Sequence, residues 1–325
     1  MAALMAVAAT QAFAPRPTPP LAETRLPVER MHLNSIVRSQ AGLVAGGELG
    51  HLLLSTDGGQ TWSKAKVSKE RYALINQIYF APGGLEGMAV GHEGWILRTR
   101  DGGRSWDEVA FEEKNGEPLM SIARLPSGTW LAVGAFGRAL RSDDGTRWER
   151  LELPASVQDK HMNRLASTAD GRQWLIVGER GLVLYSADAG ATWNQIPPFY
   201  KGSFYNALAL PGGGWLVYGM RGNIYRATDP AGPWTQVEMP VKAAFLGHAL
   251  TPEGHVLLVG QGSLVAKSTD AGAHFSITKA QGRASLTDLA LLPDGKGWFV
   301  SDAGLQPYPP QADGASKTSS SRTAP

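Results

Sequence analysis

Short apolar runs recur along the middle of the chain, each closed by glycine. Examples are Leu43-Val-Ala-Gly46, Met88-Ala-Val-Gly91, Trp130-Leu-Ala-Val-Gly134, Trp174-Leu-Ile-Val-Gly178, Trp215-Leu-Val-Tyr-Gly219 and Val256-Leu-Leu-Val-Gly260. Such runs between turn signals predict β-strands. A tight turn and a second strand follow each one, as in Trp95-Ile-Leu-Arg98. Another strand precedes each one: Asn34-Ser-Ile-Val, Asn76-Gln-Ile-Tyr, Met120-Ser-Ile-Ala, Asn163-Arg-Leu-Ala, Tyr205-Asn-Ala-Leu and Leu246-Gly-His-Ala. With a further strand after the next turn, the pattern predicts units of four antiparallel strands.

Each unit ends in Ser/Thr-x-Asp-x-Gly-x-x-Trp or a variant of it. Intact boxes centre on Asp57, Asp101 and Asp188, closing on Trp62, Trp106 and Trp193. The box of Asp144 is one residue short, that of Asp229 has its Gly displaced, and that of Asp270 ends in Phe275. Successive Asp residues are 44, 43, 44, 41 and 41 positions apart, the signature of a blade array. The motif suits a folding device. Asp and Ser/Thr side chains accept from turn N–H groups, Gly takes positive φ, and Trp covers the hairpin. One carboxylate per repeat is poor metal-ligand spacing. The six Asp are therefore expected to be structural.

Six boxes account for six blades. Leu286-Thr-Asp-Leu-Ala-Leu and Trp298-Phe-Val-Ser then start a seventh that lacks a box. The segment Glu23–Arg30 is the candidate strand to complete it and close the ring. The expected fold is all-β: a seven-bladed β-propeller of four-stranded antiparallel blades with Asp-box hairpins. Six blades plus a short cap is the alternative. Residues 1–22 are expected as leader, 23–305 as propeller and 306–325 as a disordered Pro/Ser/Thr-rich tail. Ala2–Ala14 is apolar, too short to span a bilayer, and ends in an A-x-A-like site at Ala12-Phe13-Ala14. This predicts a secretory signal peptide. A disordered Ala-rich leader is the other reading.

Composition narrows the chemistry. The 325 residues contain 39 Gly, ten Trp and no Cys. Without Cys there can be no disulfide framework, Cys-ligated metal or thiol nucleophile. The 31 basic and 29 acidic residues nearly cancel, which argues against a general hold on nucleic acid. The seven His show no metal-ligand spacing, and Gly212-Gly-Gly214 reads as a turn. No cofactor, metal or small-molecule substrate is expected.

The boxes resemble the BNR or Asp-box repeat of sialidase-type propellers. The wider pattern, as in Val90-Gly91-His-Glu-Gly94-Trp-Ile96-Leu-Arg-Thr-Arg-Asp101, resembles the photosystem II stability/assembly-factor-like family over about residues 30–303. That resemblance implies an exported, non-enzymatic scaffold acting on a membrane-protein partner, either a photosystem or an RND-type exporter complex. The expected location is the periplasm or, in a photosynthetic source, the thylakoid lumen. The protein is expected to be a monomer outside its complex. The rival is a sialidase-like glycoside hydrolase, which needs a Tyr nucleophile and an Arg cluster. Tyr185, Tyr205, Tyr218 and Tyr225 fall on ordinary strand positions, and Arg25-Leu-Pro27 is a short match to the sialidase Arg-Ile-Pro segment. No catalytic residue is assigned.

Recognition is expected where the repeat leaves residues free. The turns between second and third strands carry Glu48, His92, Glu93, Phe136, Arg138, Glu179, Arg180, Met220, Arg221 and Gln261. Phe136 flanked by Arg138, Arg180 and Arg221 is the candidate hot spot. A second candidate is the basic register before the boxes, Arg98, Arg141, Arg226 and Lys267, which would form an arc for an acidic partner.

Overall fold

The computed structural model describes residues 26–114 and 116–310. The expected leader, and the tail past residue 310, lie outside the described residues. Seven sheets follow one another along the chain, giving the seven-bladed propeller that the repeat predicts. Blade one comprises Leu33–Arg38, Leu43–Gly47, Leu52–Ser55 and Ser63–Lys64. The later blades open on Ile75–Phe80, Leu119–Arg124, Met162–Ser167, Phe204–Ala209, Phe245–Leu250 and Leu286–Leu291. One pairing was not foreseen. Lys66–Val67 leaves blade one and runs parallel to Ser105 and Trp106 of blade two. Among the described residues no helix is long and apolar enough to cross a membrane.

In the first six blades the second strand is buried along its whole length, as in Trp174–Gly178. It packs against neighbouring blades on both faces. Its sequence is therefore a continuous apolar run rather than an alternation. The first strands lie innermost. Every one shifts register near its start, at Leu33/Ser35, Ile75/Gln77, Leu119/Ser121, Met162/Arg164, Phe204/Asn206, Phe245/Gly247 and Leu286/Asp288. The side chain at the shifted position commonly serves the next blade. Ser35 Oγ accepts from Ile78 N (3.1 Å), Gln77 Oε1 from Ile122 N (2.7 Å) and Ser121 Oγ from Leu165 N (3.0 Å).

Blade seven has three strands, Leu286–Leu291, Gly297–Ser301 and Gly304–Tyr308. Over the described residues the expected closing strand is instead a turn. Val28 N donates to Leu26 O and Arg30 N to Pro27 O, both at 2.8 Å. Pro27 has no N–H to continue a ladder. One backbone bond, Leu305 N to Val28 O (3.1 Å), reaches the sheet edge, and Leu26 and Val28 pack on the cluster of Val300 and Leu305. Pro307 also removes a donor from that edge, which blunts it against further pairing. The last strand runs past the expected boundary at 305 because Tyr308 is packed edge-on against Phe299, with ring centres 5.4 Å apart. Side chains close the ring. Asp288 Oδ2 accepts from Ile36 N (3.1 Å), Thr287 Oγ1 donates to Leu33 O (2.5 Å), and Trp298 Nε1 donates to Gly58 O (2.8 Å).

Candidate partner-binding face

The propeller has two unlike ends. One carries the box hairpins and the other carries the turns between second and third strands. In the box of blade one, Ser55 Oγ donates to Asp57 Oδ1 (2.7 Å) and accepts from Gly59 N (2.7 Å). Asp57 also accepts from Thr61 N (3.0 Å) and Thr61 Oγ1 (2.6 Å), while Trp62 Nε1 donates to Gly59 O (3.0 Å). The boxes of Asp101, Asp188 and Asp270 repeat the Asp and Ser/Thr bonds. These bonds favour the charged carboxylate. The Thr192 hydroxyl and backbone N–H hold Asp188 down to about 2. Asp57 is held lower still, chiefly by the Thr61 hydroxyl, as are Asp144 by Arg147 N–H and Asp270 by His274 N–H. The box glycine has a second role. A Cβ on Gly59 (φ 96°) would strike the Trp298 indole, and one on Gly272 would sit 2.7 Å from Leu216 Cδ1. These boxes thus rest on the preceding blade. The Asp box of Asp229 keeps least: Ala227 supplies no hydroxyl, and the carboxylate accepts from Ala231 N (2.8 Å).

At the other end each turn of the first six blades is a single 3-10 turn whose middle residue takes left-handed φ. These residues are Leu49 (54°), Glu93 (54°), Phe136 (50°), Arg180 (52°), Arg221 (55°) and Gly262 (69°). A residue with a Cβ is strained there by roughly 1 kcal/mol. Phe136 is 55% exposed and sits edge-on to His161 with ring centres 4.8 Å apart. Leu49 and Tyr72 are also exposed on this end, a feature that sequence patterning had not singled out. Arg180 is exposed, with one ion pair to Asp159 (3.0 Å). Arg221 is exposed and makes no hydrogen bond or ion pair among the described residues. Arg138 lies lower, gripped by both oxygens of Glu112. Glu179 Oε2 accepts from His161 N (3.2 Å), and Glu93 Oε2 is buried without a partner among the described residues. His92 starts its turn, its N–H bonded to Leu74 O (2.9 Å). Phe136, Arg180 and Arg221 thus face outward from the turns of successive blades, while Arg138 is tied to Glu112 and Glu179 to the backbone of His161.

The basic register divides in the same way. Arg98 pairs with Glu86 and donates to Asp144 O (2.7 Å), and Arg226 Nε donates to Ala271 O (2.9 Å). Both staple one blade to the box of the next. Arg141, beside Asp143 (3.4 Å), and Lys267 keep exposed heads. The tyrosines weighed as nucleophiles are in packing roles. Tyr218 is fully buried, and Tyr225 packs with Phe199, Tyr200 and Phe204. Arg25 lies outside the described residues. Among the described residues no group of three or more His, Asp or Glu side chains could hold a metal ion.

An all-β seven-bladed propeller with box hairpins on one end and displayed turns on the other defines the class. Residues 19–128 match the family described as "Photosynthesis system II assembly factor YCF48", so the resemblance seen in the repeats holds over that stretch. Among solved structures the chain is similar to "YCF48 bound to D1 peptide", at 22% identity and a TM-score of 0.68, covering 86% of this chain and 93% of that one. It is also similar to YCF48 from Cyanidioschyzon merolae, at 16% identity and a TM-score of 0.69, covering 86% and 95%. A streptogramin B lyase shares the fold at 13% identity and a TM-score of 0.73, covering 86% and 94%. No protein of curated function matches the sequence.

Proposed function

We propose that this protein is a non-enzymatic accessory or assembly factor that binds a segment of a membrane protein on the end formed by the turns between second and third strands. The observation that carries the reading is the repeated left-handed residue. Five of the six turns hold a side chain there, where Gly262 shows that glycine serves the same geometry. Strain kept at equivalent positions points to the side chains it displays. Four of the five are exposed, Leu49 and Phe136 on either side of the half-buried Glu93, then Arg180 and Arg221, a surface of apolar and basic groups suited to an amphipathic peptide. The D1 peptide carried by a YCF48 of the same fold supports the class of partner.

In this reading the protein is exported and acts in the periplasm or, in a photosynthetic cell, in the lumen. Its partner is a photosystem or an RND-type exporter complex, and it is a monomer outside that complex. The test is cross-linking of the full chain in its cell, with the captured proteins identified by mass spectrometry. A membrane protein captured by the parent chain and lost with Arg180→Glu/Arg221→Glu supports the proposal. Capture unaffected by both changes, or turnover of a glycoside or streptogramin by the purified protein, overturns it.

A further inference from the structure

Among the residues at the register shifts of the seven innermost strands, Arg164 alone is basic. In blades one, two, three and seven, the side chain at this position accepts a backbone N–H of the next blade. A guanidinium has donors and no acceptor, so Arg164 cannot take that part. The N–H it would have served, on Ala207, is instead taken by Asn206 Oδ1 of its own blade at 2.9 Å. Arg164 makes no hydrogen bond or ion pair among the described residues. It lines the space between the innermost strands, and its charge acts there on Asp288, His248 and Tyr218 from three other blades.

A cavity of about 210 Å³ opens beside Arg164, bounded by the innermost strands of blades two to six. Two further lining residues, Gln77 and His248, carry donors. Gln77 uses Oε1 for Ile122 N, which leaves its amide N–H groups free. The Tyr218 hydroxyl lies 2.7 Å from His248 Nδ1. That buried hydroxyl has no other acceptor among the described residues, so it donates to Nδ1 and leaves the hydrogen on Nε2. Burial, with the Arg164 charge, pushes His248 down to about 3, so the ring is a neutral donor at pH 7. Asp288, the carboxylate on which the Arg164 charge acts, turns its oxygens to Ile36 N and Leu289 N. The rest of the wall is mixed: Ile122, Ala207 and Trp174 supply apolar surface beside Tyr79 and Ser167.

We propose that this axial cavity binds a small carboxylate with a short apolar tail. The carboxylate takes the Arg164 fork, Gln77 and His248 donate at its edges, and the tail lies against Ile122, Ala207 and Trp174. The volume is below the roughly 300–1,000 Å³ of sites for larger ligands, which limits the tail to a few carbons. The site lies on the axis and does not depend on the partner-binding reading.

Calorimetric titration of the full chain with sodium acetate, butyrate, phenylacetate and sulfate tests it. The expected result is one saturable site, tighter for butyrate than for acetate. Arg164→Gln, with its fold checked by near-UV circular dichroism, should bind about tenfold more weakly or worse. If that variant does not fold, Arg164→Lys decides, because it keeps the charge and loses the fork. Absence of saturation in the parent chain, sulfate binding as tight as butyrate, or affinity unchanged in the variant overturns the proposal.

Discussion

The two ends of the propeller use the same repeat in opposite ways. At the box end the polar groups are consumed by their own turn: Asp101 accepts from Thr99, from Ser105 N–H and from the Ser105 hydroxyl. At the turn end the backbone is strained and the side chains are displayed: Phe136 is 55% exposed and Arg221 makes no hydrogen bond or ion pair among the described residues. A residue repeated in every blade therefore reports folding, and a residue that varies at a repeated position is available for recognition. The boxes hold the blades together, and the proposed function puts specificity in the turns.

The contrast can be broken most forcefully from the box end. Trp106 is buried beneath its hairpin, with Nε1 donating to Gly103 O at 3.1 Å. Trp106→Ala should destabilise the protein by about 3–5 kcal/mol, seen as a fall in the thermal midpoint. Partner capture by the fraction that remains folded should persist. A smaller loss, roughly 1–2 kcal/mol, is expected for Asp101→Ala, because turn N–H groups lose their acceptor. A midpoint unchanged by Asp101→Ala would contradict the folding role of the box.

Acid should act through the same carboxylates. Asp57, Asp144, Asp188 and Asp270 have folded values below their ordinary 3.8. Their stabilisation is therefore present above about pH 4 and is lost as pH falls through the folded values, near 2 for Asp188. Asp288 works in the opposite sense. Burial raises it to about 6, so its contribution is present below 3.8 and lost as pH rises through 6. Stability measured by tryptophan fluorescence should decline below pH 4, and Asp188→Asn should flatten that decline.

Charge reversal at the turn end should barely move stability. Arg180→Glu/Arg221→Glu should stay within about 0.5 kcal/mol of the parent, as expected for exposed side chains. A further change at this end should give a gain. Arg221→Gly relieves a φ of 55° and should raise stability by up to about 1 kcal/mol, while weakening partner capture. A loss of stability in chemical denaturation would mean that the residue is held there for packing.

Much of the fold is legible in the sequence because the blade is a local unit. The period of the boxes, the apolar second strands and the glycine turns each arise from neighbouring residues, so a single chain displays them six times over. The closing segment is less legible because a strand-like composition at Glu23–Arg30 says nothing of what Pro27 does to pairing. The basic register misleads for a related reason. Arg98 and Arg226 share a position with Arg141 and Lys267, yet their partners are carbonyls of the next blade, 45 or more residues away. The axial cavity is harder still. Its donors Gln77, Arg164 and His248 come from three blades, and the one local sign is an arginine in an otherwise uncharged first strand. Exposed Leu49 and Tyr72 carry no signal until the ends of the propeller are known.

One measurement bears most directly on the division between the two ends. Partner capture by cross-linking and thermal midpoint are read together for Asp101→Ala and for Arg180→Glu/Arg221→Glu. The account predicts opposite outcomes: a lowered midpoint with capture retained for the first, and a parental midpoint with capture lost for the second. Capture lost from the folded box variant and retained by the turn variant would contradict it.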